Sequence, residues 1–547
     1  MPLGKEDTTA IVDRNEDLKS VRLLYEPLWE EIATYEFPRR LNQDRGVSPG
    51  SKQTTKQYDS TAEHSINLLA ASMHGTLTPT SSIWSSFKLR DERLNSIKEV
   101  MDWLEYSARV LSVARHQSNF SSEIHELYLD LSGFGEGCMF IEENPIKVPG
   151  FNGFNYKALS NYEYCTSENA QGRVDTVFRE FELTARAAKV KFGKNLTEKI
   201  STEKKPDTKF KFLHAVFPNE GQDKDLKHPW VGYYIFIDQR EVVGSGGYYE
   251  FPFIVPRWSK TSGEDYGRGP GHTALPDVKT LNKAKEYGLK AWAKDLDPPS
   301  FETDGGVIGS LKLIPGGRNI ARNKESIWFY DHKAHYDVSQ IKEDQLRTSI
   351  RQIFYSDQLK LQEGPEMTAT EVQVRYELMQ RLLGPAIGRF NSEGLNPQIE
   401  REFGLMARAN SRRFPTIPPA PAILAKMGIT DIDIEYEGPM AKAQRMAESV
   451  RTQRVFTFAG QIQPVFPDVF DNFDGDKAVR HVAEVEGAPS EIMRSVEERD
   501  AVRKQKAEAR AAEQRKQDLE RLAAGIKDIT PAAAELMKQG KGAEAKA

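Results

Sequence analysis

Cysteine is almost missing from this chain. Two in 547 residues, Cys138 and Cys165, make no disulfide framework, and no C-x-x-C spacing exists to hold zinc. A reducing compartment is the default expectation. Long apolar runs are missing too. No stretch of about 18 apolar residues occurs, as a membrane span would need, and MPLGKEDTTA at the start lacks the apolar core of a signal peptide. The expectation is a soluble protein made in cytoplasm, with no membrane partner. The formal charge is −5, so the chain is no basic coat for nucleic acid. Any DNA contact would be local or loose.

The motifs of common chemistries are equally scarce. Gly46 to Lys52, GVSPGSK, falls short of a phosphate-cradling loop, because its lysine follows the serine and no strong strand precedes it. The glycines at 263–271 carry no G-x-G-x-x-G fingerprint with a following acidic ribose ligand. No G-x-S-x-G elbow is present. His332 and His335 form H-x-x-H without a third ligand, which reads as a surface loop rather than a metal site. The expectation is no catalytic site, no metal, no cofactor and no enzymatic activity.

What is present is architectural. Hydrophobic residues make up 39% and charged residues 28%, enough for real cores and much wet surface. The chain is organised around Tyr266 to Pro299, where a glycine-rich approach leads into about six helical turns that stop at Pro298-Pro299. At 3.6 residues per turn, Lys279, Lys283, Lys290 and Lys294 share a narrow arc. Val278, Leu281, Leu289, Trp292 and Leu296 fall opposite. Two readings stand: an ordinary amphipathic helix with a solvated lysine face, or a ring helix whose lysines face a polyanion.

The rest reads in order. One helix is expected over 8–36, with Val21, Leu24, Tyr25, Leu28, Trp29 and Ile32 as its apolar face; others over 60–77, 95–120 and 121–133. A short strand ends the segment 78–89. Region 134–260 reads as a mixed, mostly antiparallel sheet module, with strands at 137–142, 154–164, 173–183, 210–217, 230–238 and 253–258 and a helix capped by Thr184. A second amphipathic helix at 339–361 is ended by Gly364-Pro365. A third covers 368–391, with a T-A-T-E start and a kink at Pro385, and continues over 397–409. A proline-rich stretch, a strand at 432–436, a helix at 440–463 and a very polar helix at 488–525 finish the chain. Trp84, Trp103 and Trp258 read as core or interface residues rather than stacking groups for DNA. Two long helices flanking a small β segment form a projecting stalk. A stalk with so little core of its own needs neighbours, and heterologous contacts around an axis supply them.

The order DSTAEHSINLLAASMHGTLTPTSSIWSSFKL (59–89), FGEGCMFIEE (134–143), YGRGPG (266–271) and MTATEVQVRYELMQRLLGPAIGRFNSEGLNP (367–397) resembles the portal, or head-to-tail connector, proteins of short-tailed bacteriophages. The resemblance covers roughly residues 10–465. It implies an α+β, mainly α subunit with wing, stem helices, a small β clip and a helical C-terminal crown. Carried onto this chain, the wing is 1–265 and 368–440, the stem helices are 266–297 and 338–361, the clip is 298–337 and the crown is 441–547. The channel loop is 362–367: Gln362, Glu363, Gly364, Pro365, Glu366 and Met367. With the stem lysines, these are the candidate DNA-channel residues. Gly305, Gly306, Pro315, Gly316, Gly317 and Arg318 are the candidate clip contacts to motor and adaptors. The resemblance further implies a homo-oligomeric ring of about twelve subunits at one capsid vertex of the virion. Such a ring nucleates head assembly with major capsid and scaffolding proteins, docks the terminase large subunit, conducts double-stranded DNA in and out, and joins tail adaptor proteins. The alternatives are another virion component, such as a tail adaptor or internal core protein, or a packaging enzyme. A mildly acidic subunit with few lysines suits a wall past which DNA must slide, since many phosphate contacts would raise affinity steeply. The stem lysines either face the channel or pair with acids on a neighbour.

Overall fold

The computed structural model describes residues 5–40, 56–80, 82–95, 97–144, 151–220, 228–296, 300–304, 307–308, 310, 320–325, 327–329, 336–359, 383–409, 415–427, 433–436, 439–485, 492–494 and 497–519. They divide into two compact units. The first holds 1–87, 106–419 and 434–444; the second holds 88–105, 420–433 and 445–547.

The chain opens with α1 (Lys5–Arg22) and α2 (Glu26–Tyr35). The single helix expected over 8–36 is therefore two. Pro27 has no N–H to give the Leu23 carbonyl, and it sits in the first turn of α2, where none is needed. Leu24, expected on the apolar face, lies in the break and is 78% exposed. Next come α3 (Thr61–Leu77), β1 (Ser85–Lys88), α4 (Glu92–Asn95), α5 (Lys98–His116) and α6 (Phe120–Phe134). The helix expected over 95–120 starts later than its sequence suggests. Asn95 is occupied in exchanging two hydrogen bonds, 2.9 and 2.8 Å, with the backbone of Leu89.

The β module follows as β2 (Cys138–Glu143), β3 (Phe154–Leu159), β4 (Tyr164–Glu168), β5 (Val174–Thr184), α7 (Ala185–Phe192), α8 (Glu198–Ser201), β6 (Lys209–Pro218), β7 (Trp230–Phe236), β8 (Glu241–Tyr248) and β9 (Phe253–Ile254). It is two antiparallel sheets, β3-β2-β9 and β4-β5-β6-β7-β8. The strand expected over 154–164 is thus divided between sheets by a turn in which the Glu163 N–H bonds the Ser160 carbonyl at 2.8 Å. Thr184 caps α7 as expected, accepting from the Ala187 N–H at 3.3 Å. Successive residues of β6 point to opposite faces. Leu213, Ala215 and Phe217 bury against Ile11 and Val12 of α1, while Val216 joins Cys138, Phe140 and Phe253 between the sheets. Both faces of this strand are covered, so its apolar residues run nearly unbroken. No strand is expected at β8 from its sequence, since Gly244, Gly246 and Gly247 argue against one. The Tyr248 ring covers Gly232 on β7 and fills the space a side chain would have taken.

The remaining elements of the first unit are α9 (Pro270–Leu296), the pairs β10 (Ser300–Glu302) with β13 (Ile327–Phe329) and β11 (Val307–Ile308) with β12 (Ile320–Ala321), α10 (Tyr336–Ile353), α11 (Ser356–Leu359), α12 (383–390) and α13 (Asn396–Arg408). The expected helix over 339–361 ends at Ile353, where Tyr355 turns to φ +57° before α11. Gly364-Pro365 and the T-A-T-E start lie outside the described residues. Between α12 and α13 the backbone widens into one π turn, Asn391–Leu395. Pro397 follows it, lacking the N–H that would bond the Glu393 carbonyl. Further on, α14 (Ala422–Met427) and α16 (Gly475–Val485) of the second unit add to the expected helices α15 (Pro439–Ile462), which begins in the first unit and continues in the second, and α17 (497–519). The strand β14 (Asp433–Tyr436) begins one residue later than expected.

Candidate functional site

The stalk expected from sequence is a helical hairpin. Ser349 on α10 donates to Asp277 on α9 at 2.7 Å, and Gly288, further along α9, approaches Glu343, earlier on α10. The order reverses between the helices, so they run antiparallel. Both ends of the intervening segment that are described form short antiparallel strand pairs.

Its root is built from polar groups with little water around them. Asn282 on α9 is buried; its side-chain carbonyl accepts the N–H groups of Tyr58 at 2.7 Å and Asp59 at 3.0 Å, while its amide donates to the Val278 carbonyl at 2.9 Å. The Asp59 carboxylate, itself buried, receives Lys285 of α9 at 2.9 Å and Arg347 of α10 at 3.1 Å, with the Thr61 N–H on its other oxygen. Burial pushes the Asp59 carboxyl up, but the bonds from Thr61 and Lys285 outweigh it and hold the group well below the usual carboxylate range. One aspartate therefore pins both helices to the start of α3.

The glycine-rich approach has a specific packing role. Gly135 ends α6 at φ +79°, a conformation that favours glycine. Its carbonyl accepts the Trp258 N–H at 2.8 Å, and Ser259 and Arg268 exchange backbone bonds at 3.1 and 2.9 Å. A methyl group on Gly267 would stand 2.4 Å from the Gly135 carbonyl oxygen, and one on Gly269 would stand 2.6 Å from the Gly135 Cα. FGEG and YGRGPG, two of the segments that carry the resemblance, are the two halves of this backbone-to-backbone interlock.

Carboxyls buried around the interlock are unusually basic. Glu136 accepts the Gly267 N–H at 2.9 Å and the Tyr164 hydroxyl at 3.1 Å, yet burial pushes it up to about 7. Asp130 is pushed up to about 7 by burial, although Arg40 lies 3.1 Å away. Burial also raises Glu36, which reaches toward Gly271. Arg257 is buried between Glu168 and Glu393, and Glu393 sits on the π turn that precedes α13. None of these partners was visible as a pair in sequence, because each joins residues far apart in the chain.

The lysine face is about half neutralised within the subunit, two carboxylates meeting four lysines. Lys279 meets Glu31 of α2 at 3.1 Å. Lys283 and Lys290 share Glu286, at 2.9 and 2.6 Å, and Lys294 is exposed. The opposite side is only half covered. Val278 and Leu281 are buried, but Leu289, Trp292 and Leu296, placed with them by periodicity, are 51%, 56% and 67% exposed. Helices α2, α3 and α6 pack against α9. Leu275, on its second turn, joins Trp29, Phe134 and Tyr266 in one apolar cluster. Periodicity identifies an apolar side; it does not say where along the helix a neighbour covers it. Trp84, as expected, is core: it is buried beneath the Arg115 guanidinium.

The remaining candidates, Gln362, Glu363, Gly364, Pro365, Glu366 and Met367 with Gly305, Gly306, Pro315, Gly316, Gly317 and Arg318, lie outside the described residues, as do Gly46 to Lys52, His332 and His335. Among the described residues no group of three His, Cys, Asp or Glu side chains is arranged to hold a metal. No helix among them is long and apolar enough to cross a membrane.

The chain is 28% identical over 528 residues to the probable portal protein of Bordetella phage BPP-1, with 92% of each chain covered. It is 26% identical over 527 residues to the portal protein of Salmonella phage epsilon15, covering 91% of this chain and 90% of that one. From residue 8 to residue 493 it matches one family along nearly its whole length, and it belongs to the bacteriophage head to tail connecting protein family.

Proposed function

We propose that this chain is the portal subunit of a short-tailed bacteriophage. It assembles as a closed homo-oligomeric ring, of about twelve copies, at one vertex of the capsid. Double-stranded DNA passes through the ring during packaging and ejection, and the ring serves as the seat for the terminase motor on one occasion and the tail adaptors on another. The observation that carries this reading is the end-to-end similarity to two phage portal proteins, over nine-tenths of each chain. The hairpin of α9 and α10 is the stem, the β10–β13 segment the clip, and the β module with its flanking helices the wing. The loop at 362–367 borders the channel, and the C-terminal helices form the crown. The reading assigns the chain no catalytic step.

The hairpin geometry supports this assignment. Its root is tied down by Asp59 and Asn282, while Leu289, Trp292 and Leu296 remain uncovered in a single copy. Adjacent exposed apolar groups of this kind mark association surfaces. Mass photometry of the purified full-length chain, with negative-stain images, tests the proposal. A particle of about twelve subunits with a central hole is expected. A persistent small oligomer without a hole refutes it.

A further inference from the structure

Two lysines of α9, Lys283 and Lys290, are not freely available to a polyanion, and the reason is one residue. Glu286 lies three residues after Lys283 and four before Lys290, so both ammoniums reach it from the same side of the helix. The carboxylate is divided between them: Oε1 accepts from Lys290 at 2.6 Å and Oε2 from Lys283 at 2.9 Å. It sits lower on the helix than they do, with its side chain 20% exposed against 55% and 62%. Both ammoniums also lie over the Tyr287 ring, at 4.7 and 5.9 Å. Bonds from Lys290 and then Lys283 hold the Glu286 carboxyl down at about 2, so it remains charged at any working pH. Two lysines thus present one net positive charge, and both are held along the helix surface rather than extended from it.

We propose that Glu286 is a built-in counter-ion that weakens the grip of the Lys283 and Lys290 face on DNA. This rests on the reading that the chain forms a DNA-conducting ring. DNA affinity and its salt dependence both rise with the number of phosphates a protein neutralises. A wall that conducts DNA has to attract it without holding it. A phosphate approaching α9 meets ammoniums already bonded to a carboxylate, and it must break those bonds to make its own. Repeated around a ring, this substitution of an internal acid for a phosphate keeps every step of the passage shallow. Glu286 acts through the lysines and is a positioning residue for them.

The test is binding of a fluorescent linear DNA duplex to the assembled full-length protein, measured across a salt series. Glu286→Gln and Glu286→Ala are compared with Asp207→Asn, an equal charge change at an exposed residue of the β module, and with Lys283→Gln/Lys290→Gln. The expected result is that both Glu286 variants tighten binding by about tenfold at moderate salt and steepen the dependence of log K on log salt by about one to two. Asp207→Asn should leave both unchanged, and the double lysine variant should weaken binding. If the lysine variant weakens binding but the Glu286 variants do not tighten it, the face contacts DNA and the counter-ion proposal is wrong. If neither set changes binding, this face does not meet DNA and the proposal falls with that placement, while ring images still decide the portal reading. Equal tightening by Asp207→Asn would mean overall charge is responsible, and would also overturn it.

Discussion

Replacing Gly267 by alanine should damage this protein more than its single added methyl suggests. The new Cβ would lie 2.4 Å from the Gly135 carbonyl oxygen and 3.0 Å from both Cβ and Cγ of Arg257. None of these atoms can move freely. The Gly135 carbonyl is bonded to the Trp258 N–H, and Gly135 is already at φ +79°. Arg257 is tied to Glu168 and Glu393. Overpacking at a site that cannot relax costs about 1–3 kcal/mol. The shift also pulls the Gly267 N–H from buried Glu136, and a buried acceptor that loses a donor costs about 1–3 kcal/mol more. A total of about 2–6 kcal/mol is expected. The readout is the urea midpoint of the root, followed by tryptophan fluorescence. Trp29 is buried there against Tyr266, with ring centroids 5.2 Å apart. Gly75→Ala is the control: it lies in α3, and an added Cβ meets nothing within 4 Å. That variant should be stabilised by about 0.5–1 kcal/mol, since alanine suits a helix better than glycine. A Gly267→Ala midpoint equal to the parent's, with the control behaving as stated, would refute the interlock.

Three further outcomes follow from the buried charges. The Glu136 carboxyl binds its proton more tightly folded than unfolded. The native state therefore holds more protons between about pH 4.5 and 7, and stability falls as pH rises through that window. Glu136→Gln should flatten that part of a stability-against-pH curve, and an unchanged curve would exclude Glu136 as a source of it. Asp59 has the opposite sign. Its lowered pKa stabilises the fold above the unfolded value near about 3.9, and this is lost as pH falls through the folded value. Asp59→Asn should cost about 1–3 kcal/mol at neutral pH and speed hydrogen exchange in both α9 and α10; faster exchange in one helix alone would contradict the shared anchor. Arg115→Met strands the buried Glu402 carboxylate and should cost about 3–5 kcal/mol. Adding Glu402→Leu should recover part of that loss in a double-mutant cycle, and strictly additive losses would show that the pair is not coupled.

Much of this molecule was legible in its sequence, because local chemistry decides local structure. The apolar spacing in α3 and α6, the alternating strands of the β module and the position of α9 follow from the 3.6 and 2.0 residue periods, and the Thr184 cap from a hydroxyl placed to accept a free backbone N–H. So did family membership, carried by ordered segments such as FGEG and YGRGPG. The misses have local causes of a different kind. Pro27 divides the first helix, a π turn precedes Pro397, and β8 is disguised by three glycines.

What only the tertiary structure decided is which groups meet. Sequence placed four lysines on one face of α9 and left open what they face. Folding brought Glu31 from α2 to Lys279 and Asp59 to Lys285 and Arg347, whereas the sharing of Glu286 by Lys283 and Lys290 is local helix spacing. The two glycine motifs lie some 130 residues apart, and their role appears only where one backbone rests on the other. Periodicity along a chain fixes the direction in which a side chain points. Burial, pairing and the resulting shifts of charge depend on what the rest of the chain has brought there, and that is a property of three dimensions.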